Sequence, residues 1–263
     1  MRKILGVVLA VVCLLSLAGC GGGTPKAETP APKQEKVLRV GTAANYPPFE
    51  YFQKASNTFT GFDIELMQGV AQEMGCSKVE FVNLEFEKLL PSLKDKQIDA
   101  IISCMTITEG RLKDMDFTEP YLDSGFVMVS RSDIEDKSLS AILGKKIAAE
   151  KGTLSVTAAK EYTKDVMECG SAEECLKLVA DKKADFAMMD HYAGRFYVTN
   201  TFNGKLTVMT ELHDARDKGI AIAVAKGNKE LLGKLNEGLG KYRTTADFQQ
   251  LKNTYFGKLR YKG

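Results

Sequence analysis

Histidine is scarce in this chain, with two residues among 263. The cysteines beyond residue 20 are Cys76, Cys104, Cys169 and Cys175, and their spacings match no zinc pattern. No metal and no cofactor is expected. A surplus of charge is missing too. The formal net charge of +2 comes from Arg2 and Lys3 at the very start, and the rest is balanced, which argues against nucleic-acid binding. No apolar run of membrane-spanning length follows residue 20. The composition, 44% apolar and 27% charged, is that of an ordinary folded chain.

The first 20 residues stand apart. Arg2-Lys3 precede an apolar run over residues 4–15, short for a membrane span, and small residues follow at Ala18-Gly19. That is the order of a secretory signal. Leu17-Ala18-Gly19-Cys20 resembles the bacterial lipobox, in which cleavage precedes the Cys and its thiol is lipidated. Residues 1–19 are expected to be a signal peptide and Cys20 the lipid attachment point; a plain signal peptide is the alternative. Residues 21–36 are rich in Gly, Pro, Lys and Glu without large apolar side chains, so residues 20–36 are expected to form a disordered tether. The expected location is outside the cytoplasm, anchored to the membrane.

From residue 37 the pattern is strand, helix, strand, helix, strand. Residues 36–40 alternate up to Gly41, and residues 64, 67, 70, 71 and 74 carry apolar side chains at helical spacing. Asp63 is a plausible cap of that helix and Gly75 its stop. A second strand at 79–82, a helix over about 87–96 and a strand at 99–102 complete an α/β unit with a parallel sheet. The pattern restarts after residues 126–129. Strands are expected at 145–149, 166–169 and 184–190, and helices from Ser155 and over 171–180, the latter opened by Ser171 and Glu174 as a capping box. Residues 219–226 read as a strand returning to the first unit. The chain thus divides into lobe 1 (37–125 plus 219–263) and lobe 2 (126–218), with two crossings near 122–128 and 214–220 as a hinge.

One stretch carries recognisable chemistry. Residues 99–125 read DAIISCMTITEGRLKDMDFTEPYLDSG: an apolar strand, then hydroxyls, then Arg111. A guanidinium fits a carboxylate with two parallel hydrogen bonds, although a lone Arg is more often a surface residue. The order D-A-I-x-S-x-x-T-I-T-x-x-R followed by D-F-T-x-P-Y resembles the extracellular solute-binding proteins, family 3, of polar amino acid ABC importers. V-G-T-x-x-x-Y-x-P-F-E and G-F-D-I-E-L extend the resemblance, which covers about residues 37–260. It implies a two-lobed periplasmic-binding-protein-like (type II) α/β fold with a two-strand hinge and a ligand cleft between lobes.

The resemblance assigns roles by position. Ser103, Cys104, Thr106 and Arg111 stand where the family holds an amino acid's α-carboxylate, helped by the Gly152-Thr153 turn. Asp190 stands where an acid binds the α-ammonium, and Tyr46 and Phe86 where aromatics sandwich the ligand side chain. Core packing is the plain alternative for each aromatic, and a helix cap for Asp190. Three positions depart from the pattern: Gly110 replaces a usual Glu, Leu154 a usual Thr or Gly, and Glu150 occupies a rim position more often uncharged. Ala43 stands where members that take basic amino acids usually carry an acid. Glu150 is therefore left with four roles: meeting a ligand cation, accepting the N–H groups of an uncharged polar ligand, pairing with a lysine such as Lys151, or staying in solvent. Cys169 and Cys175 could form a disulfide, a pairing left open.

The expected function is capture of a free polar amino acid and delivery to an ABC transporter permease, by a monomer that is not an enzyme. A sensory amino-acid-binding module and a cyclohexadienyl dehydratase-like enzyme are the alternatives. For the second, the matching acid position, three residues after Asp190, is Ala193.

Overall fold

The computed structural model describes residues 37–212 and 218–257. The expected signal peptide, Cys20, the expected tether and residues 214–217 of the second expected crossing lie outside the described residues.

The first half runs β1 (Val37–Thr42), β2 (Asn45–Tyr46), β3 (Glu50–Gln53), β4 (Thr58–Thr60), α1 (Phe62–Glu73), β5 (Lys78–Asn83), α2 (Phe86–Lys94), β6 (Ala100–Ile101), α3 (Glu109–Leu112) and β7 (Met115–Phe117). Next come β8 (Phe126–Arg131), β9 (Ile147–Glu150), α4 (Leu154–Ala159), β10 (Val166–Cys169), α5 (Ala172–Ala180), β11 (Phe186–Asp190), α6 (His191–Asn200) and β12 (Leu206–Leu212). The chain then adds β13 (Ala223–Ala225), α7 (Lys229–Arg243) and α8 (Ala246–Phe256).

Two five-stranded sheets organise these elements, ordered β5-β1-β6-β13-β7 and β10-β9-β11-β8-β12. In each, three strands run parallel and the last two pair antiparallel. In the first sheet, β13 comes from the far end of the chain and pairs with β6 and β7, as the return strand requires. It is shorter than residues 219–226, because Ile220 only bridges Thr106 and Leu122 singly. A small sheet, β2-β3-β4, was not expected from sequence.

Apolar alternation explains the burial. Along β8, Val127 and Val129 enter one core with Leu176 and Val179, while Phe126 and Met128 enter another with Ile147 and Met188. A strand buried on both faces reads as a continuous apolar run for this reason. Around the first sheet, Phe62, Leu66, Met67 and Val70 of α1 pack with Phe248 and Phe256 of α8. Gly75, at φ 68°, follows the helix as its stop.

One expectation is corrected and one pairing left open is answered. Asp63 does not cap α1; it lies inside the first turn, fully buried. Cys169 and Cys175 are not joined. Both are buried, and Cys169 Sγ donates to the Met167 carbonyl at 3.6 Å.

Candidate functional site

Parallel strands of open α/β sheets deliver their side chains to a crevice at their C-terminal ends. Here both sheets do so towards one another. The C-terminal ends of β6, β9 and β11 lead to residues 103–111, Glu150 to Thr153, and Asp190. All nine sequence-predicted ligand residues, Tyr46, Phe86, Ser103, Cys104, Thr106, Arg111, Glu150, Thr153 and Asp190, line one cavity.

The first wall is held by its own hydrogen bonds. Arg111 donates to the Thr106 carbonyl at 2.9 Å and, across the cleft, to the Gly152 carbonyl at 3.3 Å. Its guanidinium carbon lies 5.4 Å from the Phe86 ring centroid, a cation–π distance. Phe86 thus supports the Arg fork as well as lining the cavity. Thr108 caps α3, accepting the Arg111 N–H at 3.2 Å. The Ser103 hydroxyl donates to Glu50 at 2.8 Å and the Cys104 N–H to Asp63 at 2.7 Å. Both donors point inward, away from the direct carboxylate contact that the resemblance implies.

The second wall carries acids. Asp190 is the N-cap of α6: its Oδ1 accepts the N–H groups of Tyr192 at 2.8 Å and Ala193 at 3.1 Å. The cap and the cavity-lining position coincide, since the strand ends where the helix begins. Its own N–H donates to the Tyr46 hydroxyl at 3.2 Å, joining the walls. Thr153 turns both its hydroxyl, at 2.6 Å, and its N–H, at 3.2 Å, back to the Glu150 carbonyl.

Glu150 is the largest departure from the sequence reading. It is only 7% exposed, which removes the solvated-rim alternative. Lys151 bonds Glu87 at 2.7 Å instead of Glu150, which removes the lysine alternative. Burial lifts the Glu150 carboxyl to about 7, opposed only by an N–H bond from Ala172 at the start of α5. A carboxylate so placed is costly unless a cation or further donors reach it.

Sequence reasoning missed Glu50, Asn45, Ser124, Phe126, Leu154 and Ser155 as cavity-lining residues. Glu50 alone left a signal, an acid closing the Tyr-Pro-Pro-Phe run. Leu154 was noted only as a departure at its turn; Asn45 and Phe126 lie in strands and Ser155 in α4, where residue type alone does not mark a cavity face.

The family model for bacterial extracellular solute-binding proteins, family 3, matches residues 38–258. The chain belongs to that family, and its location is accordingly extracytoplasmic. It is 32% identical to the L-arginine-binding protein of Pseudomonas aeruginosa over 84% of this chain and 88% of that protein. A solved structure of an ancestral arginine-binding protein bound to arginine superposes with a TM-score of 0.77 and 32% identity, covering 84% of this chain and 99% of that one. An ancestral amino acid-binding protein, a precursor of cyclohexadienyl dehydratase, gives a TM-score of 0.75 and 31% identity, covering 84% and 95%. Among the described residues no helix is long and apolar enough to cross a membrane.

Proposed function

We propose that this chain captures an amino acid with a cationic side chain, L-arginine foremost, outside the cytoplasm and delivers it to an ABC transporter permease. Binding of a polar amino acid for import is the function of the chain as a member of its family. The observation that carries the finer reading is Glu150: a buried carboxyl in the cavity wall with no lysine or arginine paired to it among the described residues. A ligand guanidinium or ammonium answers that carboxylate, and the faces of Tyr46 and Phe86 suit a flat cation. The relatives named for arginine agree with it.

In this reading Arg111 binds the α-carboxylate with the Thr106 hydroxyl, the Cys104 thiol and the N–H groups after Thr153, and Asp190 binds the α-ammonium. Ser103 acts from behind. Lobe 1 comprises residues 37–125 plus 219–263 and lobe 2 residues 126–218, with closure about the hinge burying both charged ends of the ligand. The chain is a monomeric binding protein, not an enzyme: Ala193, where a dehydratase would place an acid, is fully buried and apolar. Residues 1–19 direct export and Cys20 carries the lipid anchor.

A thermal-shift panel of the free L-amino acids on the purified mature chain tests the ligand. Arginine is expected to give the largest shift, with other basic amino acids next; a response confined to acidic or aliphatic amino acids overturns the reading. Membrane retention of Cys20→Ser, unchanged from wild type, would overturn the anchor. Uptake of labelled arginine in cells lacking the chain separates import from a sensing role.

A further inference from the structure

Below the carboxylate wall lie two carboxyl groups that the binding scheme does not use. Glu50 is 1% exposed and Asp63 is fully buried. Neither is neutralised by a lysine or arginine among the described residues. Glu50 Oε1 accepts the Ser103 hydroxyl at 2.8 Å, and Ser103 Oγ accepts the Ala43 N–H at 3.0 Å. Glu50 Oε2 is buried and receives no N–H or O–H donor among the described residues, and the Asp63 carboxyl is the acid neighbouring the Glu50 carboxyl. Asp63 is surrounded by donors: the Cys104 N–H at 2.7 Å and the Tyr121 hydroxyl at 2.8 and 2.9 Å. Two ionised carboxylates in dry contact cannot coexist, and one proton between them removes the conflict. The donors around Asp63 make it the ionised member, so the proton belongs on Glu50 Oε2.

We propose that Glu50 is a positioning residue of the ligand site, held as a neutral carboxylic acid that donates from Oε2 to Asp63 and accepts at Oε1 from Ser103. The acid thereby locks residues 103–106, which shape the carboxylate wall. Cys104 needs that lock: its φ of 46° is uncommon for a residue with a side chain, and Asp63 holds its N–H. Burial pushes the Glu50 carboxyl well above its ordinary value, with the charge of Asp63 next in importance and Glu150 across the cleft adding to it. Burial likewise lifts Asp63, to about 6. Tyr121 faces the pair as a neutral phenol, held well above its ordinary value by burial and the charge of Asp63. Keeping Glu50 uncharged also spares an incoming carboxylate one negative neighbour.

Glutamine is the test, because its amide donates and accepts where the acid does. Glu50→Gln should bind L-arginine within about threefold of wild type, whereas Glu50→Ala, which strands the Ser103 hydroxyl, should lose about tenfold or more. Equal losses in both variants would mean that an ionised Glu50 is required, and would overturn the proposal. The binding arm rests on the arginine reading; infrared spectroscopy of the unliganded full chain does not. Wild type at neutral pH should show the carbonyl stretch of a buried carboxylic acid that Glu50→Gln lacks. Its absence from wild type overturns the proposal whichever amino acid binds and whether or not Glu50→Ala folds.

Discussion

The two walls of the cleft are built on sheets that share a pattern, three parallel strands followed by antiparallel pairings, and behave differently. The first wall is finished before any ligand arrives: Ser103, Cys104 and Arg111 are each bonded to a protein partner. The second wall is not. Its acids stand at strand ends, and among the described residues Glu150 receives only a backbone N–H from Ala172. A wall whose donors are already oriented costs little to organise on binding. A wall with an unanswered buried carboxylate is less stable when empty and gains more when filled. The comparison assigns geometry to the first wall and side-chain selection to the second.

The sharpest way to break this division is to remove the charge at either end of the ligand. Arg111→Ala and Asp190→Ala should each lose at least roughly 3 kcal/mol of ligand affinity, since each leaves a buried ligand charge without its partner. Calorimetry showing under a tenfold loss in both would make them structural residues only.

Glu150→Gln sharpens the comparison. L-arginine affinity should fall by about 1.5–3 kcal/mol, the worth of a charged hydrogen bond, while neutral polar amino acids lose less. Unliganded stability should move the other way. Burial raises Glu150 from its ordinary 4.5 to about 7, so between these values the folded chain keeps a proton that the unfolded chain has lost. That contribution is full below about pH 4.5 and disappears as pH rises to about 7. The variant should therefore melt higher than wild type at pH 8 and equally at pH 4. Wild-type affinity for arginine should climb with pH and level off above about 7, and the variant should show no such climb. A pH-independent wild type would detach Glu150 from the ligand.

Tyr46→Phe removes the hydroxyl that accepts the Asp190 N–H between the walls. A loss of about 1 kcal/mol in affinity is expected from one such bond, measured by calorimetry; no change would show that the contact is not used in the bound state. Lys151→Ala should have the smallest effect. Its pair with Glu87 crosses the cleft at the surface, where ion pairs are screened and weak. A loss of affinity as large as that of Glu150→Gln would show that Lys151 itself governs the site.

The local pattern of residues was enough to read β1, α1, β5, α2 and β6, then β8 to β11 with α4 and α5, and the Ser171–Glu174 capping pattern, because these depend on apolar alternation and turn residues; α3, β7 and β12 were not read. The nine residues that meet at the cavity came from the family resemblance, which assigns them by motif order. The β2-β3-β4 sheet escaped because strands of two to four residues are too short for a period to register.

Only the tertiary structure decided which charges lie in solvent and which are sealed. Glu150 is buried because the first turn of α5 closes over the end of β9, and nothing in its own neighbourhood in the sequence announces that. Asp63 looks like a helix cap until the strand-end turn at Cys104 and the Tyr121 hydroxyl arrive from 41 and 58 residues away. Cys169 and Cys175 lie close in sequence, yet packing leaves them as buried free thiols. Side-chain type and spacing fix what a residue can do; whether water or protein surrounds it depends on segments far along the chain, and that environment sets its charge and its partner.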